Sequence, residues 1–466
     1  MSIDGTKLIE WGFEPGQAFG EMLAVANAME GSPEEQILEA MHDIYADYEE
    51  EIEYVALNEP GSVDVKIFLD EGRNEFEIKN NETVLTKMEN LTRVPTIVDA
   101  AIMPDACPSG PGAAEIPVGG VAVAKNAIHP GMHSADICCS LFLTEFDQDI
   151  DVSKILDTVQ KESHFGYGGR QDVTMGYDHH IIKRAKENRF LASAKMFKAM
   201  SEHLGTQGDG NHFFYVGRSE KTGSINIVTH HGSRNPGALL YKEGMRVADQ
   251  FRKKLCPDVD KYNAWIPFDT DEGQWYWEAL QIIREWTKYN HTVIHDRVMR
   301  ALGMSPKNIT DRFWNEHNFV FKSGDLFYHA KGSTPMYDNY SHDADHRRII
   351  PLNMGEPILI VKNSEQNDFG FAPHGAGRNM SRTQFKKMNG NKTVEEIMKE
   401  QVGHIDARFY TGDPDASELP GAYKDAEAVQ DQIKRFSLAE VVDRIMPLGS
   451  MMAGEQEKPW LKGKKR

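Results

Sequence analysis

A histidine framed by glycines is the feature of this 466-residue chain that is best suited to chemistry. His374 opens the run His-Gly-Ala-Gly-Arg, which ends at Arg378. Glycines let a phosphate come close to the backbone and expose peptide N–H donors, and a neutral imidazole can attack a phosphorus atom near neutral pH. The run therefore predicts a nucleophilic His374 at a phosphate site. The alternative is a plain glycine turn capped by a histidine.

Three more histidines stand in similar surroundings, and one short segment adds a carboxylate and a thiolate. They are His212 in Gly-Asn-His-Phe, His230 in Thr-His-His-Gly, His317 in Glu-His-Asn-Phe, and the segment from Asp136 to Cys139. This mixture of ligands suits a borderline divalent ion such as Mn²⁺, Zn²⁺ or Fe²⁺. No two of these residues form a compact pair of ligands, so the fold must assemble any site. Alternatively, some of the chain's 18 histidines fall beside Gly and Asn without any metal.

Several motifs in a fixed order resemble those of the RtcB-type RNA ligases. They run from about Met103 to Asp425, and their number and order make the resemblance more specific than any one motif would. They are Met-Pro-Asp from Met103, Asp-Ile-Cys-Cys from Asp136, Gly-Thr from Gly205, Gly-Asn-His-Phe from Gly210, His230 with Gly-Ser-Arg from Gly232, His-Asn from His317, Lys-Gly-Ser-Thr-Pro from Lys331, the His374 run, and Pro-Gly-Ala-Tyr-Lys-Asp from Pro420.

The resemblance implies an α+β fold, with one large mixed domain of β-sheets flanked by helices. It also implies a ligase that depends on GTP and two Mn²⁺ ions. Such an enzyme joins an RNA 3′-phosphate or 2′,3′-cyclic phosphate to a 5′-hydroxyl through a covalent histidine–GMP intermediate, in RNA repair or tRNA splicing. Two alternatives stay open. One is a metal-dependent nucleotidyltransferase or phosphoesterase without end-joining, and the other is a non-catalytic protein that binds RNA ends.

Roles carry over from the family position by position. His374 becomes the guanylylated nucleophile. The resemblance implies that the metal ligands are Asp136, Cys139, His212, His230 and His317. Nucleotide contacts are assigned to Asn211, Phe213, Asn318, Pro351, Met354, Gly375, Ala376 and Gly377. Side chains that suit contacts with phosphate or RNA, with arginine as a bidentate fork and lysine as a point charge, are Arg234, Lys331, Arg378 and Arg382.

The chain also departs from the family pattern. Cys107 stands where the family has a histidine, Cys138 where it usually has a glycine, and Tyr215 where it often has a glutamate. Leu352 and Asn353 replace the central Gly-Ser of a nucleotide-contacting Pro-Gly-Ser-Met. The nucleophile and the five predicted ligands are unchanged, and several changes fall on the purine and ribose side. Another purine triphosphate therefore remains an alternative to GTP.

Composition limits the location and the general type of the protein. The formal net charge is −19, from 52 Lys and Arg against 71 Asp and Glu, which argues against a general nucleic-acid coat and predicts a confined basic channel. No apolar run approaches the roughly 20 residues that span a bilayer, and the N-terminus lacks a signal pattern. Four cysteines are too few for a disulfide framework. We therefore expect a cytoplasmic protein without membrane contact.

The elements that must position these residues follow from local patterns. Helices are predicted over 178–204 and 272–302 and after Pro33, and strands over 62–69 and 224–230. The predicted ligands fall at strand ends and turns, where active sites usually gather. The expected division is residues 1–100 as an N-terminal α/β portion, 101–454 as the catalytic core and 455–466 as a basic tail, with one compact domain overall.

Overall fold

The structure is a computed structural model that describes residues 3–13, 15–16, 18–48, 54–170, 172, 175–176, 178–340 and 345–456. The chain divides into two units: residues 1–55 with 254–257, and the remainder. The three-part division expected from the sequence stays a prediction. Most of its basic tail, residues 457–466, lies outside the described residues.

The first unit is helical. It contains α1 (Gly5–Glu10), α2 (Phe19–Ala28) and α3 (Glu34–Tyr48). The Asp4 side chain caps α1 by accepting a hydrogen bond from the Lys7 backbone N–H. The helix predicted to begin after Pro33 is confirmed as α3. The apolar side chains buried in this unit are Leu8, Phe13, Ala18, Met22, Ala26, Ile37 and Met41.

The other elements belong mainly to the second unit. Its helices are α4 (Glu75–Leu91), α5 (Pro130–His133), α6 (Val152–Glu162), α7 (His180–Glu187), α8 (Ala194–Glu202), α9 (Arg234–Leu255), α10 (Asp271–Ala301), α11 (Arg382–Met388), α12 (Val394–Val402) and α13 (Ala426–Arg435). The first strands are β1 (Val65–Ile67), β2 (Ile97–Cys107), β3 (Val118–Lys125), β4 (Ala127–Ile128), β5 (Cys139–Phe146), β6 (His164–Phe165), β7 (Thr206–Gln207), β8 (Phe213–Ser219) and β9 (Ile225–His231). The later strands are β10 (Ile266–Pro267), β11 (Ile309–Ser323), β12 (Leu326–Lys331), β13 (Ser333–Pro335), β14 (Arg348–Pro351), β15 (Ile358–Asn363), β16 (Phe371–Pro373), β17 (Asp406–Phe409) and β18 (Ala439–Met452). Among the described residues, none of the helices is long and apolar enough to cross a bilayer.

One 12-stranded sheet organises the second unit. Its order is β1-β2-β3-β12-β11-β5-β9-β8-β18-β15-β14, and β17 pairs with β18 beside this path. The β1–β2 and β17–β18 pairs are parallel, and the other pairs are antiparallel. A large mixed sheet with helices against it is the predicted α+β architecture, so that prediction is confirmed.

The central strands β5, β8 and β9 are buried on both faces. Because side chains alternate along a strand, each strand contributes to two separate apolar clusters. One cluster includes Leu141, Leu143, Phe213 and Val228. The other includes Phe146, Phe214, Ile225 and Ile227, with Ile294 and Val298 of α10. Burial of these side chains is the main force that holds the strands in place, and it gives the site a rigid base.

The predicted elements are confirmed in some places and wrong in others. The structure has α10 and β9 close to the predicted ranges of 272–302 and 224–230. The helix predicted over 178–204 is instead α7 and α8. The Asn188 side chain accepts a hydrogen bond from the Phe190 backbone, and Ser193 caps α8. These local hydrogen bonds end one helix and begin the next. Of the strand predicted over 62–69, only β1 forms.

Candidate active site

One cavity of about 300 Å³ gathers most of the residues singled out in the sequence. Its walls come from neighbouring strands of the sheet, namely β11, β5, β9 and β8, and from the loop after β16. The predicted residues in its walls are Asp136, Cys139, Asn211, Phe213, His230, His317, Asn318, Lys331, Pro351, Met354, His374, Gly375, Ala376, Gly377, Arg378 and Arg382. His212 and Arg234 line a second cavity of about 590 Å³, which shares Asp136, Asn211 and Arg382 with the first.

The five predicted metal ligands converge at the border of the two cavities. The Cys139 Sγ atom lies 3.4 Å from His212 Nε2 and 3.2 Å from His230 Nε2. His212 Nε2 is 3.2 Å from Asp136 Oδ2, and His230 Nε2 is 3.1 Å from His317 Nε2. Two nitrogen ligands on one tetrahedral ion are themselves about 3.4 Å apart. The donor atoms are therefore spaced as the ligands of a metal centre are spaced.

The protonation of His230 favours metal binding. Burial lowers the pKa of His230 and of His317 well below the ordinary histidine value, so both rings are neutral at pH 7. His230 Nδ1 lies 3.1 Å from the Asn211 carbonyl oxygen, which can only accept, so Nδ1 carries the proton. His230 Nε2 consequently presents a lone pair to Cys139 and His317. A backbone carbonyl that fixes the tautomer in this way is common behind metal-binding histidines.

The other donors also fit a cation. Burial would raise the pKa of Asp136, but the neighbouring His212, Cys139 and His230 together outweigh burial and lower it to about 2. Burial, followed by the nearby Asp136 charge, raises the pKa of the Cys139 thiol well above its ordinary value. A bound cation would be required to hold this sulfur as a thiolate at pH 7. The buried trio Cys139, His212 and His230 is therefore suited to metal binding, and Asp136 and His317 extend it.

His374 lies beside this cluster, and a buried carboxylate orients its ring. The centres of the His317 and His374 rings are 4.8 Å apart. His374 Nδ1 lies 2.5 Å from Asp105 Oδ2, and the same oxygen accepts the His374 backbone N–H at 3.0 Å. The Asp105 side chain is fully buried, whereas 14% of the His374 side chain is exposed in the cavity wall. Because Nδ1–H points to Asp105, the Nε2 lone pair of His374 is the nucleophilic atom.

Two glycines make this placement sterically possible. A Cβ atom on Gly377 would lie 2.0 Å from the Asp105 carbonyl oxygen, and one on Gly332 would lie 2.9 Å from the His374 ring. Both glycines have positive φ angles, of 73° and 64°. A side chain at either position would collide with the pair and strain the backbone. The predicted role of a glycine-rich loop therefore extends to close packing around His374 and Asp105.

One side of the main cavity is apolar. Phe213 and Met354 belong to the same buried cluster, together with Met452, and all three line the cavity. Asn318 is held by its own contact, since its Oδ1 accepts the Gly332 backbone N–H at 2.6 Å. A flat base fits against such apolar and aromatic surfaces. The residues predicted to contact a nucleotide thus share one cavity with His374.

The four predicted phosphate-binding cations differ in their availability. Arg234 is partly buried, and it donates to the Thr206 hydroxyl at 3.1 Å and to the Gly166 carbonyl. Burial lowers its pKa to about 10. Lys331 donates to the Ser109 hydroxyl at 2.7 Å and to the Ile116 carbonyl at 3.2 Å, and burial lowers its pKa to about 8. Arg378 and Arg382 both contact Glu418 in the cavity wall.

The departures from the family pattern have distinct structural outcomes. Tyr215 is buried and donates to the Ile445 carbonyl at 2.8 Å, so it is part of the core. Cys107 and Asn353 line the main cavity. Cys138 is fully buried with a φ of 58°, and its thiol is near Thr287 and Glu316. Of the five changed positions, three, namely Cys107, Leu352 and Asn353, line the main cavity and can meet a ligand there.

Three residues of the site were not singled out as functional in the sequence. Asp105, Glu418 and Tyr423 became visible only through their contacts with His374, Arg378 and Arg382. The signals existed, because Asp105 ends the Met-Pro-Asp motif and Tyr423 belongs to Pro-Gly-Ala-Tyr-Lys-Asp. Their partners, however, lie far away in the sequence, and no local pattern predicts the pairing.

Comparisons with known proteins agree with this arrangement. A family model described as tRNA-splicing ligase RtcB matches residues 147–453, well over half of the chain. The chain is 27% identical to the tRNA-splicing ligase RtcB of Archaeoglobus fulgidus, over 77% of this chain and 89% of that protein. It is 24% identical to the tRNA-splicing ligase RtcB of Thermococcus kodakarensis, over 80% and 92%. It is also 24% identical to the RNA-splicing ligase RtcB homolog 2 of Entamoeba dispar, over 82% and 86%.

The fold and the site together define an α+β protein with a buried Cys–His metal-type centre next to an oriented histidine. Within that class, the chain belongs to the RtcB family. The resemblance recognised in the sequence is thereby confirmed. The roles of individual residues stay predictions.

Proposed function

We propose that this chain is an RNA ligase that joins an RNA 3′-phosphate or 2′,3′-cyclic phosphate to a 5′-hydroxyl, in RNA repair or tRNA splicing. The observation that carries the proposal is the position of His374. Its Nδ1 is held by Asp105, its Nε2 has no hydrogen-bond partner among the described residues, and its ring lies 4.8 Å from that of the predicted ligand His317. The names of the relatives, tRNA- and RNA-splicing ligases, support the same activity.

Asp136, Cys139, His212, His230 and His317 would together hold two Mn²⁺ ions. Asp136, Cys139 and His212 would bind one ion, because their donor atoms are 3.2 to 3.4 Å apart. Cys139, His230 and His317 would bind the other, with separations of 3.1 to 3.2 Å. Such a pair of cations supplies charge neutralisation at phosphate oxygens and orients them for in-line displacement.

In the first step, His374 Nε2 would attack the α-phosphorus of GTP. A nitrogen–phosphorus bond forms, the bond to the bridging oxygen breaks, and pyrophosphate leaves. Asp105 accepts the Nδ1–H throughout, so it stabilises the positive charge that develops on the imidazole. We assign the phosphates to the peptide N–H groups of Gly375, Ala376 and Gly377 and the base to Phe213 and Met354, because all five residues line the main cavity.

In the second step, the RNA 3′-phosphate would take GMP from His374, and the RNA 5′-hydroxyl would then displace GMP. The second cavity adjoins the metal cluster on the side of Asp136 and His212. It therefore offers room for RNA ends next to the cavity that we assign to the nucleotide. A ligand thiol such as Cys139 must stay reduced, which is consistent with a cytoplasmic enzyme.

The test uses the full chain loaded with Mn²⁺ and incubated with α-labelled GTP or ATP. We expect a protein-bound label that is labile in acid and stable in alkali, as for a phosphoramidate, and that is lost in His374→Ala. Comparing GTP with ATP measures the base preference that the changed pocket residues leave open. Failure to form an adduct with either nucleotide would overturn the proposal and favour the protein that only binds RNA ends.

A second measurement separates ligation from simple nucleotidyl transfer. The preformed adduct is mixed with one RNA that has a 3′-phosphate and another that has a 5′-hydroxyl. Joined RNA supports the ligase. Transfer of GMP to the 3′-phosphate without joining would identify a nucleotidyltransferase that lacks the last step.

A further inference from the structure

A buried carboxylate in the wall of the main cavity, Glu418, has no part in the proposed reaction steps. The Glu418 side chain is 2% exposed, yet three donors converge on it. Arg382 Nε donates at 2.7 Å, Arg378 NH1 at 3.2 Å and the Tyr423 hydroxyl at 2.6 Å. A buried carboxylate that is fully paired in this way fixes the orientation of its partners.

The two arginines that contact Glu418 differ in how many of their N–H donors are engaged. Arg378 also donates from Nε to the Met380 carbonyl at 3.3 Å and from NH2 to the Ser417 carbonyl at 2.7 Å. Its guanidinium packs 5.1 Å from the centre of the Tyr423 ring. Nearly all of its donors are therefore engaged within the protein, and it fastens the His374 loop to the segment at 417–423.

Arg382 uses only one edge of its guanidinium. In the described part of the chain, the contact from Nε to Glu418 is its one hydrogen bond, and 55% of the side chain is exposed. Arg382 lines both cavities. Its NH2 lies close to the loop that carries Asn211 and His212, since a Cβ atom on Gly210 would be 2.7 Å from it. The unpaired edge thus stands beside the predicted metal ligands.

We infer that Glu418 is a positioning residue that aims the free edge of Arg382 at a substrate phosphate, while Arg378 is a structural tie. This inference rests on the proposed function, which supplies the phosphate. A guanidinium on a flexible chain loses side-chain entropy when it binds. Because Glu418 holds Nε in advance, the two NH₂ groups are already directed as a fork for phosphate oxygens. The phosphate belongs either to the RNA 3′ end or to the nucleotide.

Binding measurements on the Mn²⁺-loaded protein test the inference without requiring turnover. For RNA, the dissociation constant of an oligonucleotide with a 3′-phosphate is compared with that of the same oligonucleotide with a 3′-hydroxyl. For the nucleotide, GTP is compared with guanosine. Each ratio reports the contribution of the phosphate, and the ratio that changes identifies which phosphate Arg382 contacts.

The decisive variants are Glu418→Gln, Arg382→Ala and the two combined. We expect Glu418→Gln to reduce one of the two ratios about tenfold, because the carboxylate no longer fixes the guanidinium. Arg382→Ala should reduce the same ratio, and the double variant should be within twofold of Arg382→Ala. Effects that multiply in the double variant, or an unchanged ratio in Glu418→Gln, would overturn the inference.

Controls keep the result interpretable. Arg382→Lys changes an exposed side chain, keeps the charge and loses the fork, so it should behave nearly as Arg382→Ala even if Glu418→Gln does not fold. Full phosphate preference in Arg382→Lys would contradict the aiming role. Glu145→Gln and Arg347→Ala are matched changes at paired residues outside both cavity walls, and they should leave both ratios unchanged.

The outcome is independent of adduct formation. If the His374 adduct forms but the Glu418 and Arg382 variants do not behave as expected, the proposed function stands and the positioning role of Glu418 is rejected. If the variants behave as expected but no adduct forms, the phosphate contact of Arg382 stands and the nucleotidylation step is rejected.

Discussion

The two faces of strands β5 and β9 carry the same kinds of side chain for different purposes. Cys139 and His230 point to the cavity, whereas their chain neighbours Ser140, Thr229 and His231 point to the opposite face. On that opposite face they meet His291 and His295 of α10. Both faces are buried, and burial lowers the pKa of the histidines on both.

On the α10 face, every imidazole nitrogen has a partner from the protein. His291 contacts the Thr229 hydroxyl at 2.7 Å and the Ser140 hydroxyl at 3.0 Å. His295 contacts the Thr144 hydroxyl at 2.8 Å and the Thr229 hydroxyl at 2.9 Å. The His231 and His291 rings are stacked with centres 3.5 Å apart. These histidines join the strands to the helix and have no nitrogen left for a ligand.

On the cavity face, by contrast, some imidazole nitrogens lack a hydrogen-bond partner in the described part of the chain. His212 and His317 each have a buried Nδ1 without a partner in the described part of the chain, and their Nε2 atoms point at other ligand atoms. A cation bound between these atoms would satisfy the lone pairs that they turn toward one another. On these two faces, unpartnered ring nitrogens distinguish the predicted ligands His212 and His317 from the structural histidines, whereas burial and a lowered pKa do not.

The largest effect should come from removing one histidine from each face in turn and comparing the two variants. His230→Ala should abolish metal binding and reduce ligation by at least about 10³-fold, because it removes a ligand from the shared centre. His291→Ala should instead lower the stability of the fold and leave stoichiometric metal in the protein that remains folded. Metal analysis and melting temperatures of both variants check this. The comparison fails if His291→Ala loses the metal while His230→Ala retains it.

The next effect concerns the orientation of His374. Asp105→Asn replaces a carboxylate that can only accept with an amide that can also donate, so the tautomer of His374 is no longer fixed. We expect the rate of adduct formation to fall about 10³-fold, by analogy with other histidines held by carboxylates. Metal content should not change, because Asp105 contacts no predicted ligand. Single-turnover labelling beside metal analysis distinguishes this outcome from a general loss of structure.

Acid should destabilise the second unit through its structural histidines. Burial lowers the pKa of His129 and His133 to about 4 and that of His231 to about 3. The unfolded chain has a value of about 6.5 and therefore binds more protons. The stabilising contribution of these three residues is nearly complete above about pH 6.5, and it is lost as the pH falls, by up to about 4 kcal/mol per pH unit around pH 5.

Unfolding by denaturant at pH 8, 7, 6 and 5, in the presence of a chelator, measures this loss apart from metal release. His133→Gln should reduce the slope below pH 6 by about one proton's share, or 1.4 kcal/mol per pH unit. A free energy of unfolding that stays constant from pH 7 to pH 5 would contradict the buried, neutral state of these rings.

The elements of this fold were easier to predict than the contacts between them. The apolar spacing of 272–302 and the short apolar run before His230 predicted α10 and β9 because their signals are local. The break between α7 and α8 was missed because it depends on single hydrogen bonds of Asn188 and Ser193. Such side-chain caps compete with helical spacing and are invisible to a periodic pattern.

The residues of the site also fall into two groups, those that sequence motifs predicted and those that only the tertiary fold brings together. The sequence named Cys139, His230 and His317 as ligands through their motifs, and the sheet places them together because β11, β5 and β9 are neighbours. Asp105 was missed because it lies 269 residues from His374, and only the tertiary fold joins them. The paired state of Arg234 could not be predicted either, since its partners are Thr206 of β7 and Gly166 after β6, which are distant from it in the sequence.

The smallest expected effect separates two cysteines that are neighbours in the chain. Cys139 belongs to the metal cluster, whereas Cys138 is buried near Thr287 of α10 and has a φ of 58°. In Cys138→Gly, relief of the left-handed backbone offsets the loss of a buried thiol, so stability should change by less than about 1 kcal/mol. Metal content and ligation rate should stay within twofold, whereas Cys139→Ala should lose both. Loss of metal in Cys138→Gly would place Cys138 among the ligands, and the separation of the two faces would then be wrong.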